Sequence, residues 1–212
     1  MANSEPTQTI HIIDDDADVR DSLQWLLESV GLQVRCYETA LAFLERFQPG
    51  AGGCVVMDVR MPELSGINAQ KKFPEYGIDL PVIMISAHGS IDMAVTALTD
   101  GALTFIEKPF DDQVLIDHVQ NALERDRQHR RKLQALAVHR QRYEGLTKRE
   151  RQVFEEVVNG LSNQEVADKL GINRKTVEGH RANMMSKMAA DSLAELVQIA
   201  ISLRQQDALL HA

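Results

Sequence analysis

Five short apolar runs, each followed by a stretch with helical spacing, constrain this chain more than anything else in it. The runs are residues 9–13 (TIHII), 32–36 (LQVRC), 54–57 (CVVM), 82–85 (VIMI) and 104–106 (TFI). They have the length and composition of strands. Between the first two, Val19, Leu23, Leu26, Leu27 and Val30 share one helical face, which Gly31 can close. Thr39 can cap a second helix with Ala40, Phe43, Leu44 and Phe47 inward; Ser90 can cap another with Met93, Ala94, Ala97 and Leu98 inward. The third helix fits poorly. In INAQKKFPEYG apolar residues are sparse and Pro74 ends a helix early, so a short or irregular segment is expected there. Strand and helix alternating five times predicts an α/β fold, a five-stranded parallel, doubly wound sheet with helices on both faces.

The remainder of the chain changes character. From Glu124 onward, ERDRQHRRKLQALAVHRQRYEG has neither Pro nor Gly until Gly145, and predicts a helical linker continuing the fifth helix. Beyond it Thr147 with Glu150, Ser162 with Glu165, and Ser192 with Glu195 form capping boxes, and Asn173 is a fourth cap. Four helices are expected, at 147–159, 163–170, 174–188 and 192–204, with Gly160 and Gly171 as breaks. The organisation is then a flexible N-terminus (1–8), an α/β domain (9–124), a helical linker (125–144), an all-α four-helix domain (145–206) and a C-terminal tail (207–212).

A length of 212 residues allows two small cores. The formal net charge of −8 is unevenly spread: residues 1–125 hold 8 basic and 20 acidic side chains, and residues 126–212 hold 15 and 11. The basic half is therefore the candidate for nucleic-acid contact. Cys36 and Cys54 lie in apolar runs without metal-type spacing and read as buried, reduced thiols. No apolar run approaches the ~20 residues that span a bilayer, and MANSEPTQT lacks the regions of a signal peptide, so a cytoplasmic protein without membrane contact is expected.

In an open parallel sheet, chemistry gathers at the carboxyl ends of the strands. Asp14 and Asp15 follow the first strand, Asp58 the third, Ser86 the fourth and Lys108 the fifth. Three carboxylates suit a hard cation such as Mg²⁺; the metal and Lys108 could neutralise a phosphoryl group, Ser86 could donate to its oxygens, and Asp58 would be the nucleophile. With IIDDD, VVMDVRMPELSG, VIMISAHG and FIEKPF each after a predicted strand, residues 9–124 resemble a response-regulator receiver domain of the flavodoxin/CheY-like fold. The resemblance implies that Asp58 accepts phosphate from a sensor histidine kinase. It implies that Asp15 ligates Mg²⁺ (or Mn²⁺) directly, that Asp14 supports it, and that Arg60 offers its backbone carbonyl. It further implies Ser86 and Phe105 as switch residues, Lys108 paired with phosphoryl oxygens, and a cis peptide between Lys108 and Pro109.

Other readings of the same residues fare worse. Asp16 and Asp18 read as charges at a helix start. Asp14, Asp16 and Asp18 have the opening spacing of an EF-hand, but Val19 and Trp25 stand where Gly and Glu are required. A haloacid-dehalogenase-like phosphatase would use Asp14 as nucleophile and Asp16 as acid/base, and leaves DVRMP around Asp58 unexplained.

In the basic half, LTKRE, GLSNQEVA, LGI and TVEGHRANMMSKM together resemble the four-helix helix-turn-helix domain of LuxR-type regulators, closest in pattern to the NarL/FixJ subgroup. The second helix of that motif presents its N-terminal part to the major groove. Val177, Met184, Met185 and Met188 are expected inward. Arg174, Lys175, Thr176 and Arg181 are candidates for DNA contact, and Glu178 either accepts from cytosine or orients Arg181. The segment departs from the subgroup at Glu178, Gly179 and Ala182, where some relatives hold Lys, so an operator sequence does not carry over.

The combined resemblance implies a phosphorylation-controlled transcriptional regulator that binds promoter DNA, as a homodimer when phosphorylated, with RNA polymerase as a further partner. It is no enzyme apart from Mg²⁺-assisted self-phosphorylation and slow autodephosphorylation. The runner-up is a constitutive DNA-binding regulator whose first domain only dimerises.

Overall fold

The computed structural model describes residues 8–87 and 89–210, in two compact units, 1–130 and 131–212. The first unit is a five-stranded parallel sheet in the order β2-β1-β3-β4-β5, formed by β1 (Thr9–Ile13), β2 (Gln33–Tyr37), β3 (Gly53–Asp58), β4 (Val82–Ser86) and β5 (Thr104–Glu107). Side chains alternate between two cores, as a pleated strand requires. Ile13, Val55, Met57 and Met84 face α2 (Ala40–Arg46), α3 (Gly66–Lys72) and α4 (Ile91–Thr99). Ile10, Ile12, Val56 and Ile85 face α1 (Ala17–Ser29) and the first turns of α5 (Asp112–Glu144). Every residue of β3 and β4 is buried, which is why those segments read as continuous apolar runs.

Local signals account for the helix ends. Asp16 caps α1 by accepting from the amides of Asp18 and Val19, Thr39 caps α2, and Ser90 caps α4. The helix α3 stops at Lys72 and gives way to a 3₁₀ turn, Phe73–Tyr76, with Pro74 in its first turn. Pro74 lacks the amide that an α-helix would need at that point.

Some side chains expected inward are not. Val30 lies one residue past α1, where the helical phase is lost, and is exposed; Leu98 is exposed because α4 meets the sheet through Ala97 and Met93. Cys54 is buried, but Cys36, on an edge strand, is only half-buried.

The helix α5 runs without interruption through the segment expected as a linker. Its contact with the first unit continues past Arg125. Asp126 is 1% exposed and accepts from Gln8 Nε2 at 2.8 Å, the Gly53 amide at 2.9 Å and Arg130 Nε at 2.8 Å. Arg130 also donates to the carbonyls of Gly50 and Ala51. The buried Asp126 carboxylate holds its position because each of its two oxygens finds a donor.

The second unit holds the end of α5, α6 (Lys148–Val158), α7 (Asn163–Leu170), α8 (Arg174–Met188) and α9 (Leu193–Leu210) around Val153, Phe154, Val166, Val177, Met184 and Leu196. Helix α9 continues through residues 207–210 of the expected tail. The boxes Thr147–Glu150 and Ser162–Glu165 are complete. The third is not: Ser192 accepts from the Glu195 amide, but the Glu195 carboxylate accepts from the amide of Asp191.

Glu150 does more than cap. Its side chain is 5% exposed and lies 2.7 Å from Lys187 Nζ on α8. Lys187 first, and then the Thr147 amide, hold the Glu150 carboxyl at a pKa of about 2 instead of 4.5. A depressed carboxyl pKa adds stability that is present above the ordinary value and is lost as the pH falls toward the native one. Glu150→Gln is accordingly expected to cost about 1–2 kcal/mol at pH 7, allowing for the partly solvated lysine, and to flatten the unfolding midpoint of the second unit between pH 4.5 and 2.

Candidate functional site

The strand order reverses between β1 and β3, and the crevice at that point collects polar side chains from three strand ends. Asp14 follows β1, Asp58 ends β3 and Lys108 follows β5. Lys108 Nζ lies 2.8 Å from Asp14 Oδ2 and 2.9 Å from Asp58 Oδ1. Asp14 and Asp58 are buried, whereas Lys108 keeps 19% of its side chain exposed. The ammonium therefore bridges two buried carboxylates at the mouth of the crevice.

Backbone amides fix both acids. Asp14 Oδ1 accepts from the Asp16 amide at 3.0 Å, and Asp58 Oδ2 from the Arg60 amide at 2.6 Å. Burial pushes the Asp14 carboxyl above its ordinary pKa, and the hydrogen bond from Lys108 does not undo this. Burial also works against the charge on Lys108, but the Asp14 and Asp58 carboxylates outweigh it and raise that pKa. One cation thus serves two acids, and Asp14 remains under-compensated.

The other expected residues are placed as follows. Asp15 is exposed and does not join Asp14 and Asp58 in a cluster of three metal-type ligands; no such cluster occurs among the described residues. Arg60 is exposed next to Asp58. Ser86 is 1% exposed at the end of β4, and its carbonyl accepts from the Lys108 amide at 2.8 Å. Phe105 is half-buried on β5, and the Lys108–Pro109 peptide is cis.

Two glycines were not singled out from the sequence. A Cβ on Gly66 would stand 2.3 Å from the Asp58 carbonyl oxygen, and one on Gly89 would stand 2.8 Å from the Phe105 ring. Both occur within quoted motifs, LSG and AHG, but only the close approach in space explains them.

The buried acids at the crevice, Asp14 and Asp58, offer carboxylate oxygens. This chemistry fits a hard divalent cation. The under-compensated Asp14 carboxylate points the same way, since a divalent cation would offset charge that Lys108 alone leaves unbalanced.

In the second unit, α7 and α8 are joined by a three-residue turn in which Gly171 adopts a left-handed conformation and Asn173 caps α8. This is the connection of a helix-turn-helix. Val177, Met184 and Met188 are buried and Met185 packs on them, while Arg174, Lys175, Thr176 and Glu178 are exposed. Glu178 does not orient Arg181. It pairs with Arg174 at 2.9 Å, one helical turn away, while Arg181 Nη1 donates to Asn163 Oδ1 on α7 at 2.8 Å. The Thr176 hydroxyl donates to Asn173 Oδ1.

Comparison with known proteins agrees with both halves. Residues 10–120 match the model of the response regulator receiver domain, and residues 144–200 that of the bacterial regulatory proteins of the luxR family. The transcriptional regulatory protein FixJ of Azorhizobium caulinodans is 46% identical over 192 residues, 91% of each chain. The response regulator protein TmoT of Ectopseudomonas mendocina is 40% identical over 92% of this chain and 89% of its own. Among solved structures, response regulator StyR aligns over 92% of this chain and 98% of its own, with a TM-score of 0.81 and 38% identity. Full-length FixJ from B. japonicum aligns over 95% and 99%, with a TM-score of 0.56 and 38% identity.

Proposed function

Because the chain belongs to the response regulators, a receiver domain joined to a LuxR-family regulatory domain, we propose that a sensor histidine kinase phosphorylates Asp58 and that α8 carries the result to promoter DNA. The chain is a phosphorylation-controlled DNA-binding transcriptional regulator and not an enzyme. The observation that carries the site assignment is the Asp14–Lys108–Asp58 bridge at the switch point of the sheet.

In the transfer, an oxygen of Asp58 attacks the phosphorus of a phosphohistidine. The P–N bond breaks, the imidazole leaves with its electron pair, and an acyl phosphate forms on Asp58. The Arg60 amide holds the carboxylate in register during the attack. Lys108 exchanges its bond to Asp58 for one to a phosphoryl oxygen, and the Ser86 hydroxyl donates to another. Mg²⁺ or Mn²⁺, held by Asp14, Asp15, Asp58 and the Arg60 carbonyl, would supply neutralisation of phosphoryl charge. The same group of residues admits water slowly to the acyl phosphate, giving a self-limited signal.

Phosphorylation draws Ser86 and Phe105 inward, and the face of α4, β5 and α5 changes with them. That face has a reason to seek a partner. Ile91 is 83% exposed, and Val95 and Leu98 follow it at helical spacing, an uncovered apolar stripe along α4. Burial of this stripe in a homodimer would join two DNA-binding units and add their phosphate and base contacts. The protein works in the cytoplasm, where kinase, promoter and RNA polymerase are all accessible; among the described residues no helix is long and apolar enough to cross a membrane.

The test uses acetyl phosphate and Mg²⁺ with the full chain. Wild type is expected to take up one phosphate and to gain promoter affinity in a mobility-shift titration, and Asp58→Ala to do neither. An Asp58→Ala protein that gained the same affinity would refute the assignment.

Gly179 gives a separate check on α8. A Cβ there would meet nothing within 4 Å, so nothing in the second unit requires glycine in mid-helix. Gly179→Ala is expected to stabilise the unit by about 1 kcal/mol and to weaken promoter binding several-fold, because the methyl would stand between helix and groove. Thermal unfolding and DNA titration read the two effects independently; unchanged DNA affinity would remove position 179 from the interface.

A further inference from the structure

The sheet face that meets α2 is apolar except at one corner. At the paired positions Thr9–Gln33, His11–Arg35 and Ile13–Tyr37, the strands β1 and β2 turn mostly polar side chains to that face. Helix α2 is too short to cover them: seven residues make roughly 10 Å of helix against roughly 16 Å of five-residue strand. What remains is a cavity of about 340 Å³, closed on its far side by Arg46, Phe47 and Gln48.

No acidic residue lines this cavity, although acids outnumber bases 20 to 8 in the first 125 residues. Among the described residues neither Arg35 nor Arg46 has a carboxylate within ion-pair distance. The Tyr37 hydroxyl lies 3.2 Å from His11 Nδ1 and is also hydrogen-bonded to Arg35. Burial, and secondarily the charge of Arg35, holds the His11 pKa at about 4, so the ring is neutral at pH 7. The buried His11 Nε2 has no hydrogen-bond partner among the described residues. Two guanidiniums that have no carboxylate partner among the described residues, beside a cavity without an acid in its lining, call for an anion.

We propose that this corner is a binding site for a small organic carboxylate, its charge taken by Arg35 and Arg46 and its apolar body laid against the rings of Phe47 and Tyr37. The volume sits at the small end of the range for ligand sites, about 300–1,000 Å³. The aromatic wall separates such a ligand from inorganic phosphate, which has no carbon body to bury. The site is at the β2 edge of the sheet, and none of Asp14, Asp58, Ser86 and Lys108 lines it.

The test is a titration of the ¹⁵N-labelled full chain with butyrate, acetate or inorganic phosphate, at ionic strength held constant with chloride. Butyrate is expected to shift the amides of residues 9–11, 33–37 and 46–48 saturably, and more tightly than acetate or phosphate. Arg35→Gln with Arg46→Gln, both at exposed positions, is expected to weaken it about tenfold or more while leaving the remaining spectrum intact. No saturable shift, an equal response to phosphate, shifts centred on residues 58, 86 and 108, or full binding by the double variant would each overturn the proposal.

Discussion

Lys108→Ala is expected to lower the stability of the first unit by about 3 kcal/mol at pH 7, with part of that loss returning as the pH falls toward 4. The magnitude follows from what the lysine leaves behind. Asp14 and Asp58 are buried, both lean on the one ammonium, and removal of that ammonium leaves two like charges facing each other out of water. The lower end of the usual range applies because Lys108 is itself 19% exposed, so water can take up part of its role. The pH dependence has a definite sign. The Asp14 carboxyl already lies above its ordinary pKa through burial, and loss of the lysine raises it further. The native state then binds more protons than the unfolded one, and stability rises as the pH falls. Hydrogen exchange of the β1 and β3 amides at pH 7 and pH 5 measures this directly. The double variant Lys108→Ala with Asp14→Asn should recover much of the loss, because only one uncompensated charge remains. A loss that is independent of pH, and equal in single and double variants, would mean that Lys108 acts through packing alone.

The pair of acids and their lysine could be read from the sequence because the fold itself could. Strands buried on both faces leave continuous apolar runs, and in a parallel sheet the residue after each run falls at the same edge. Asp14, Asp58 and Ser86 are such residues, and Lys108 lies one position further on, after Glu107 ends β5. The rest depended on contacts that no local pattern encodes. Asp126 lies in a run that looks like solvated linker, yet its partners Gln8 and Gly53 are 118 and 73 residues away. Glu150 reads as a cap and is one, but its Lys187 partner is 37 residues on, across a helix packing contact. Leu98 kept the helical spacing of a core residue and lost the core, since which part of an apolar stripe is covered depends on how the neighbouring strand lies against it. Ser192 and Glu195 have the spacing of a capping box; that spacing does not decide which of two adjacent amides the carboxylate reaches. Glu178 likewise had three basic neighbours at helical distance, Arg174, Lys175 and Arg181; it pairs with Arg174, and Arg181 turns to Asn163.

Gly66 shows the same gap between pattern and contact at the site itself. Its amide donates to the Val59 carbonyl at 3.0 Å, folding the loop after β3 back on the strand end. That fold brings its α-carbon so near Asp58 that a Cβ would stand 2.3 Å from the carbonyl oxygen and 3.3 Å from Met57 Cγ. The clashing atom is backbone, buried in the sheet, and cannot turn aside as a side chain would. Two effects compete in Gly66→Ala. Alanine at the start of α3 favours the helix by up to ~1 kcal/mol; overpacking against fixed backbone costs about 3 kcal/mol, the upper part of its usual range. The clash is therefore expected to win, with a net loss near 2 kcal/mol, and to displace the Asp58 carboxylate from Lys108 and the Arg60 amide. Phosphate uptake from acetyl phosphate should fall in the same variant even under conditions where it stays folded, since in-line attack tolerates little misplacement. Gly179→Ala, made in open space, is the matched control for the helix-propensity part of the effect. If Gly66→Ala instead stabilised the protein as Gly179→Ala is expected to, and took up phosphate at the wild-type rate, the close approach of α3 to Asp58 would have no part in building the site.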